Sequence, residues 1–467
     1  MDVLYYSASR EFPCGVSGGE RTVALSIIDS TVGNFSPCGA VWFYDASPSL
    51  PNPEGLRSAL RKTLDFYPQW CGRLYHLPPS HTTIDRLALT FGCATDPGVL
   101  FVDVQTNVRL ADLIPLPRPK EWDASDLPAA HFLPSTPLAP VDPEGPVMSV
   151  QVTTFACGGI AIGIRLAHPL SDAQTLAYFA RDWACIERVV PNPVFDPQLL
   201  DDHAPGSEVD DALVAEARKL PCSRYDWWIS GSDCPFASQA AVIPPEFSPP
   251  PDVGGTRMPW DQWNVSAPVS HYVIHFTQDE VKQMEGGTRM EAILAHVWGC
   301  INRARGLVEG DEVHMELTFG LRPRLKLPDR FIGSPIMLAD VRTPTSQGIH
   351  DTLSQFTINA LKAHLHEKKF EVAPKRLWQA FLGHRHVLVT SWVHTGVYEA
   401  DFGGGSPRYV EAVMPKLDGL LQVMEVQNRH GEHCRWYDAG VDLQLHLEEE
   451  VMVRLLEDPL LRKYYAA

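Results

Sequence analysis

Between residues 160 and 186 the spacing of apolar side chains changes once, across a proline, and no other stretch constrains the fold as tightly. Ile160, Ile162, Ile164, Leu166 and His168 share one parity. In a strand they line one face, because side chains alternate with a period of two. Pro169 ends the ladder because it has no N–H to donate. From Asp172 the spacing becomes helical, with Leu176, Phe179, Ala180, Trp183 and Ile186 on one side. The stretch His168-Pro169-Leu170-Ser171-Asp172 therefore predicts a buried strand running into an amphipathic helix, with an imidazole at the turn. Histidine titrates near neutrality, so at the mouth of a cleft it can take up a proton and return it. A core histidine bonded to backbone has the same local signature, so the rest of the chain has to decide.

That rest is long. A chain of 467 residues, 45% of them hydrophobic, suggests two or three domains with a sizeable core. Prolines cluster at 115–146, 191–221 and 235–268. The first cluster predicts an irregular surface excursion and the second, rich in acidic residues, a crossover. The expected division is an N-terminal domain over 1–195, a linker over 196–225 and a C-terminal domain over 226–467. Strands are expected at 40–44, 147–155, 159–167, 271–276, 313–321, 387–392 and 420–429. Helices are expected at 54–66, from 172, from 277 behind a Thr277/Glu280 capping box, and at 290–305, 352–366 and 443–456. Strands and helices alternate in both halves, which favours two related α/β layered domains.

Several function classes drop out. The net charge is −18, from 57 acidic and 39 basic residues. No basic surplus exists to replace phosphate counterions, so no nucleic-acid partner is expected, although a local basic cluster can still hold an anionic ligand. No signal peptide, no run of about eighteen apolar residues and no CxxC pair among ten cysteines is found, which points to free thiols in a reducing cytoplasm. Asp401-Phe402-Gly403 copies the metal-binding triplet of protein kinases without their other signatures. Gly403-Gly404-Gly405 instead predicts a sharp turn with positive φ. His364 with His366, His384 with His386, and His430 with His433 and Cys434 lack the spacing of a zinc site, and solvated loops or helix faces explain them. No metal is expected. Gly15–Gly19 has no following Lys-Ser/Thr, and no Gly-x-Ser-x-Gly elbow is present. Trp227-Trp228 and Trp260 with Trp263 are expected to pack or to anchor loops.

Four further segments, the last in two parts, give the histidine a context. They are Tyr67–Leu74 (YPQWCGRL), Leu294–Cys300 (LAHVWGC), Leu321–Leu325 (LRPRL) leading to Phe331–Ser334 (FIGS), Thr390-Ser391-Trp392, and Asp401–Gly405 (DFGGG). With the His168 motif, in this order and at these distances, they resemble the BAHD acyltransferases with their HxxxDG and DFGWG signatures. The resemblance is to the fungal branch that includes trichothecene acetyltransferases, and it runs from about residue 40 to about 430. It implies an α/β fold of two chloramphenicol-acetyltransferase-like domains with a channel between them. It also implies transfer of an acyl group from coenzyme A to a hydroxyl or amine of a small specialised metabolite. Acyl-coenzyme A is then a co-substrate, no cofactor is tightly bound, and the enzyme is a monomer. His168, in mid-channel, is the implied general base. Trp392, with Thr390 nearby, matches the candidate oxyanion donor. Asp172 matches a scaffold carboxylate paired with Arg322 or Arg324, the other arginine meeting Asp401. Asp401, Gly403 and Gly405 form the structural loop. Thr277 and Lys282 fall where relatives contact coenzyme A.

The chain departs from the pattern at Ala173, Gly404 and Ser334, which replace a glycine, a tryptophan and an asparagine. Ala167 before His168 differs from the doubled histidine of condensation domains and so favours coenzyme A over a carrier-bound donor. The alternatives are that carrier-bound donor, or a non-transferring pocket protein promoting cyclisation or elimination. The acceptor and the acyl group are not readable.

Overall fold

The structure is a computed structural model that describes residues 2–15, 18–80, 82–236, 243–247, 254–427 and 435–464. His430, His433 and Cys434 lie outside the described residues. Two sheets organise the chain. The first has six strands in the order Val3–Glu11, Val99–Thr106, Met148–Thr154, Ile160–Leu166, Cys38–Tyr44, Tyr409–Ala412. The expected hairpin is there, pairing Val150 with Ile164. Every residue of Cys38–Tyr44 is buried, because helices and loops cover both faces. Helix Pro53–Leu64 buries Leu56, Leu60 and Leu64 on this sheet, and helix Ala173–Cys185 buries Leu176, Phe179, Ala180 and Trp183. Trp183 Nε1 donates to Leu56 O at 3.1 Å and locks the two helices together.

The second sheet has seven strands in the order Ile336–Val341, His314–Gly320, His386–Ser391, Leu420–Glu425, Val441–Glu448, Val269–Phe276, Glu121–Asp123. Helix Arg289–Ala304 starts at a Thr288/Glu291 capping box and buries Ile293, Leu294, Val297, Trp298 and Ile301 against it.

Each half lends the other an edge strand. Glu121–Asp123 pairs with Val269–Phe276, and Tyr409–Ala412 pairs with Cys38–Tyr44. An edge strand exposes unpaired N–H and C=O groups, and the loan covers one such row on each sheet. The proline-rich stretch 115–146 is therefore not only a surface excursion: Trp122 and Phe132 are buried. Two helix expectations also change. Over 443–456, Leu443, Leu447, Val451 and Leu455 have helical spacing, but Leu443, Leu445 and Leu447 alternate. The strand Val441–Glu448 takes the first part and the helix starts only at Glu449. The helix expected at 352–366 is two helices, Ser346–Ser354 and Ile358–Lys369, because Thr357 caps a new start through Ala360 N at 3.3 Å. No described helix is long and apolar enough to cross a membrane.

Candidate active site

The strand Ile160–Leu166 delivers His168 into a single turn, where Ser171 N donates to His168 O at 3.1 Å. Helix Ala173–Cys185 then begins under the cap of Asp172, whose Oδ1 accepts from Thr175 N at 2.9 Å. The half-buried His168 lines a cavity of about 1240 Å³ walled by both halves of the chain. Its Nδ1 lies 3.0 Å from Ser334 Oγ, and Phe35 meets the ring edge-on with centroids 5.3 Å apart. Burial holds the imidazole pKa below its usual 6.5, against a backbone hydrogen bond and the charge of Asp172, which pull it up. The ring is thus held towards its neutral, proton-accepting form.

Ser334 is fixed from behind. Its backbone N–H donates to Asp29 Oδ1 at 2.7 Å, and Ser26 Oγ donates to Asp29 Oδ2 at 2.5 Å. Burial pushes the Asp29 carboxyl up to about 7. Sequence reasoning noted Ser334 only as a replacement and missed Asp29 and Phe35. No local pattern marks either, since Phe35 is far from His168 in the chain and Asp29 meets Ser334 across the two halves.

Asp172 faces away from the imidazole. Its oxygens take both Nη1 and Nη2 of Arg322, the second at 3.0 Å, and Arg322 also donates to Phe331 O at 2.9 Å and Thr175 Oγ1 at 2.8 Å. This knot ties the helix after His168 to the turn that carries Ser334. Arg324 does not meet Asp401, contrary to expectation. It donates to Phe356 O at 3.0 Å and lies over the Phe319 ring. The Asp401 carboxylate is satisfied inside its own loop, by Gly403 N and Gly405 N at 2.8 Å each. A carboxylate closing its own turn has no remaining need of a distant guanidinium.

That loop lies off the cavity. Gly403 and Gly405 have φ of 102° and 87°, as the turn requires. Phe402 plugs between Trp183 and Tyr44, with ring centroids 5.0 and 5.9 Å away. The space that a side chain at 404 would enter holds Leu50, whose Cδ2 is 2.7 Å from an ideal Cβ. Leu50 thus occupies the room that the signature tryptophan would use.

Trp392 and Thr390 both line the cavity, Trp392 being buried. Thr277 and Lys282 do not line it. Thr277 Oγ1 is spent on the capping box with Glu280, and Lys282 pairs with Asp279 at 3.8 Å. Their helix borders a second cavity of about 410 Å³, since Arg289, which lines it, donates to Val281 O and Lys282 O at 3.0 Å each. The second cavity shares Ser391 and Val393 with the first. Among the described residues no cluster fit to hold a metal is found. His364, His366 and His386 are buried rather than solvated: His366 Nδ1 donates to Pro205 O at 2.6 Å, and His386 Nδ1 lies 2.7 Å from Glu316.

The two α/β layers thus enclose a cavity in which a histidine is held against a hydroxyl, the layout of a two-sheet α/β fold with its candidate site between the sheets. The Transferase family model matches residues 17–210 and 275–461, and the chain belongs to that family, that of BAHD-type acyltransferases. Relatives include the acyltransferase AFT15-1 of Alternaria alternata, 26% identical over 99% of this chain and 97% of the relative. The acyltransferase abl6 of Leptosphaeria maculans is 28% identical over 99% and 98%. Among solved structures, vinorine synthase superposes with a TM-score of 0.65 at 16% identity, covering 98% of each chain. F. sporotrichioides TRI101, solved with coenzyme A and T-2, gives 0.62 at 15% identity, covering 95% of this chain and 99% of that one. Those likenesses establish the fold of two chloramphenicol-acetyltransferase-like domains, and the chain is an acyltransferase of the fungal branch.

Proposed function

We propose that the protein transfers an acyl group from an acyl-coenzyme A thioester to a small-molecule acceptor, with His168 as general base. The observation that carries this reading is the placement of the imidazole in the shared cavity with Nδ1 against Ser334 Oγ. If Nδ1–H donates to that oxygen, the Nε2 lone pair is free to accept the acceptor's proton. As that proton leaves, the acceptor oxygen or nitrogen attacks the thioester carbonyl. The tetrahedral intermediate collapses, the C–S bond breaks, and the imidazolium returns its proton to the thiolate. One histidine serves both steps, so no acyl-enzyme forms. The developing oxyanion needs a preorganised donor, and Trp392, with Thr390, is assigned that part.

The donor is assigned to the end of the cavity at Ser391 and Val393, where the second cavity adjoins. Coenzyme A phosphates need cations that this acidic chain must supply locally, and Lys282 beside Arg289 is such a group. Thr277 contributes through the helix it caps. Asp172, Arg322, Asp401, Gly403 and Gly405 act as scaffold.

Purified protein incubated with acyl-coenzyme A and a panel of alcohols and amines, with free thiol followed by a chromogenic disulfide, tests the reading. Acceptor-dependent thiol release is expected. Its absence across a broad panel of donors and acceptors counts against the reaction. Lys282→Glu is expected to raise the acyl-coenzyme A KM by about tenfold, as a reversed charge beside phosphate does.

A further inference from the structure

From the ring of His168 an unbroken series of aromatic contacts leads along one wall of the cavity, away from Ser391 and Val393. Phe35 meets His168 and then Trp378 at centroid distances of 5.3 and 5.0 Å. Trp378 meets Trp227 at 5.8 Å, and Trp227 meets Trp260 at 5.5 Å. Trp260 stacks on Trp263 at 6.2 Å, and both touch Phe381. All six rings line the cavity. They come from four separate segments, which is why the tryptophan pairs read as mere packing in the sequence.

The rings pack against one another, and two of the residues are tethered further. Trp378 exchanges backbone hydrogen bonds with Tyr225 at 2.8 and 2.9 Å, and Trp260 Nε1 donates to Ser230 O at 2.8 Å. A wall whose rings are already immobilised loses little side-chain entropy when a ligand lies on it. It is also uncharged. Among the described residues lining the cavity, the charged side chains are Asp172 and Arg322, which neutralise one another, and Lys326 and Asp329, which are exposed. Among the described residues that line the cavity, no carboxylate stands along the six rings to receive an ammonium or guanidinium, and no cation lines it there to receive an acid. The Lys375 ammonium already sits over the Trp227 ring, 5.9 Å from its centroid, where a cationic acceptor would meet like charge.

We propose that this aromatic wall is the acceptor subsite and that it selects an uncharged, ring-containing alcohol lying against the indoles with its hydroxyl at His168. The inference rests on the acyl-transfer reading. The hydroxyl oxygen bonds to the acyl carbon, the C–S bond breaks, and the hydroxyl proton passes through His168 to the departing thiolate. Charged acceptors bring groups that this wall does not neutralise, and burying an unpaired charge is costly.

Two measurements on the full chain test it. In the first, tryptophan fluorescence is titrated with androsterone, borneol, putrescine and shikimate, without coenzyme A. Saturable binding of the two neutral ring alcohols is expected, about tenfold or more tighter than putrescine or shikimate. Equal or tighter binding of the charged probes, or no saturable binding of the neutral ones, overturns the proposal. In the second, Trp263→Ala and Trp378→Leu, checked for folding by circular dichroism, are compared with the parent in the thiol-release assay. Each is expected to raise the acceptor KM by about fivefold and to leave the acyl-coenzyme A KM unchanged. A shift in the acyl-coenzyme A KM instead assigns the wall to the acyl chain and overturns the proposal. If the neutral alcohols bind but no thiol is released with any donor, the acyl-transfer reading fails while the wall's selectivity stands.

Discussion

The imidazole of His168 has an aromatic edge on one side and a hydroxyl on one nitrogen, and both matter to its chemistry. Phe35 and the cavity wall desolvate it, which depresses its pKa. Ser334 fixes the ring's orientation. Ser334→Ala is expected to lower kcat by about tenfold or less, since a single neutral hydrogen bond is worth about 1 kcal/mol net. The acyl-coenzyme A KM is expected to hold. The pH profile follows from the sign of the shift. A depressed pKa keeps the base neutral above pH 6.5, so kcat/KM is flat there and falls only as pH drops through a value below 6.5. An acid limb centred above pH 7 contradicts this assignment. His168 was readable because its strand parity and the following turn are local. Its partners were not, because Ser334 is 166 residues away and Asp29, on the other side of His168 in the chain, is 305 residues from Ser334.

Two short elements hold the His168 turn in place. Asp172 caps the helix and pairs with Arg322 in a largely buried ion pair. Removing one partner of such a pair typically costs about 3–5 kcal/mol, because the other charge is left uncompensated. Asp172→Asn is expected to destabilise by about that amount in denaturant unfolding, while folded enzyme still turns over. A preserved unfolding midpoint with collapsed turnover contradicts the scaffold role. In the loop that carries Asp401, a tryptophan at 404 would meet Leu50. Gly404→Trp is therefore expected to destabilise by about 1–3 kcal/mol through overpacking, and Leu50→Ala added to it to recover part of that loss. Hydrophobic period identified most strands and helices, and it failed where two periods overlapped. Over 443–447 every second residue is apolar and over 443–455 every fourth, so burial on a sheet decided the outcome. The loop's glycines were readable as a turn, but Leu50 as its filler was not.

The two halves are joined by exchanged strands, a feature that reading the sequence in linear order does not expose. Tyr409–Ala412 carries Glu411 into the junction, where Tyr409 OH donates to it at 2.5 Å and Gln444 Nε2, from the other sheet, at 2.8 Å. Burial pushes the Glu411 carboxyl up to about 8, against Tyr409 and Arg118, which pull it down. The sign is that of a raised carboxylate. The folded chain keeps a proton that the unfolded chain releases above about pH 4.5, so stability drains as pH rises towards 8. Glu411→Gln keeps the shape and removes the titration. Between pH 5 and 8 the parent is expected to lose on the order of 3 kcal/mol relative to this variant, measured by thermal melts at both pH values. Parallel melting at the two pH values contradicts the buried, protonated state. The cavity between the sheets adjoins this junction, since Val413 and Met414, just past the exchanged strand, line it.

The most direct test of acyl transfer through a single base is His168→Ala in the acceptor-dependent thiol-release assay, with acyl-coenzyme A affinity measured separately. The expected result is a loss of roughly 10²–10⁴ in kcat with donor binding and melting temperature unchanged. Full turnover in the variant, or an isolable acyl-enzyme in the parent, would contradict it.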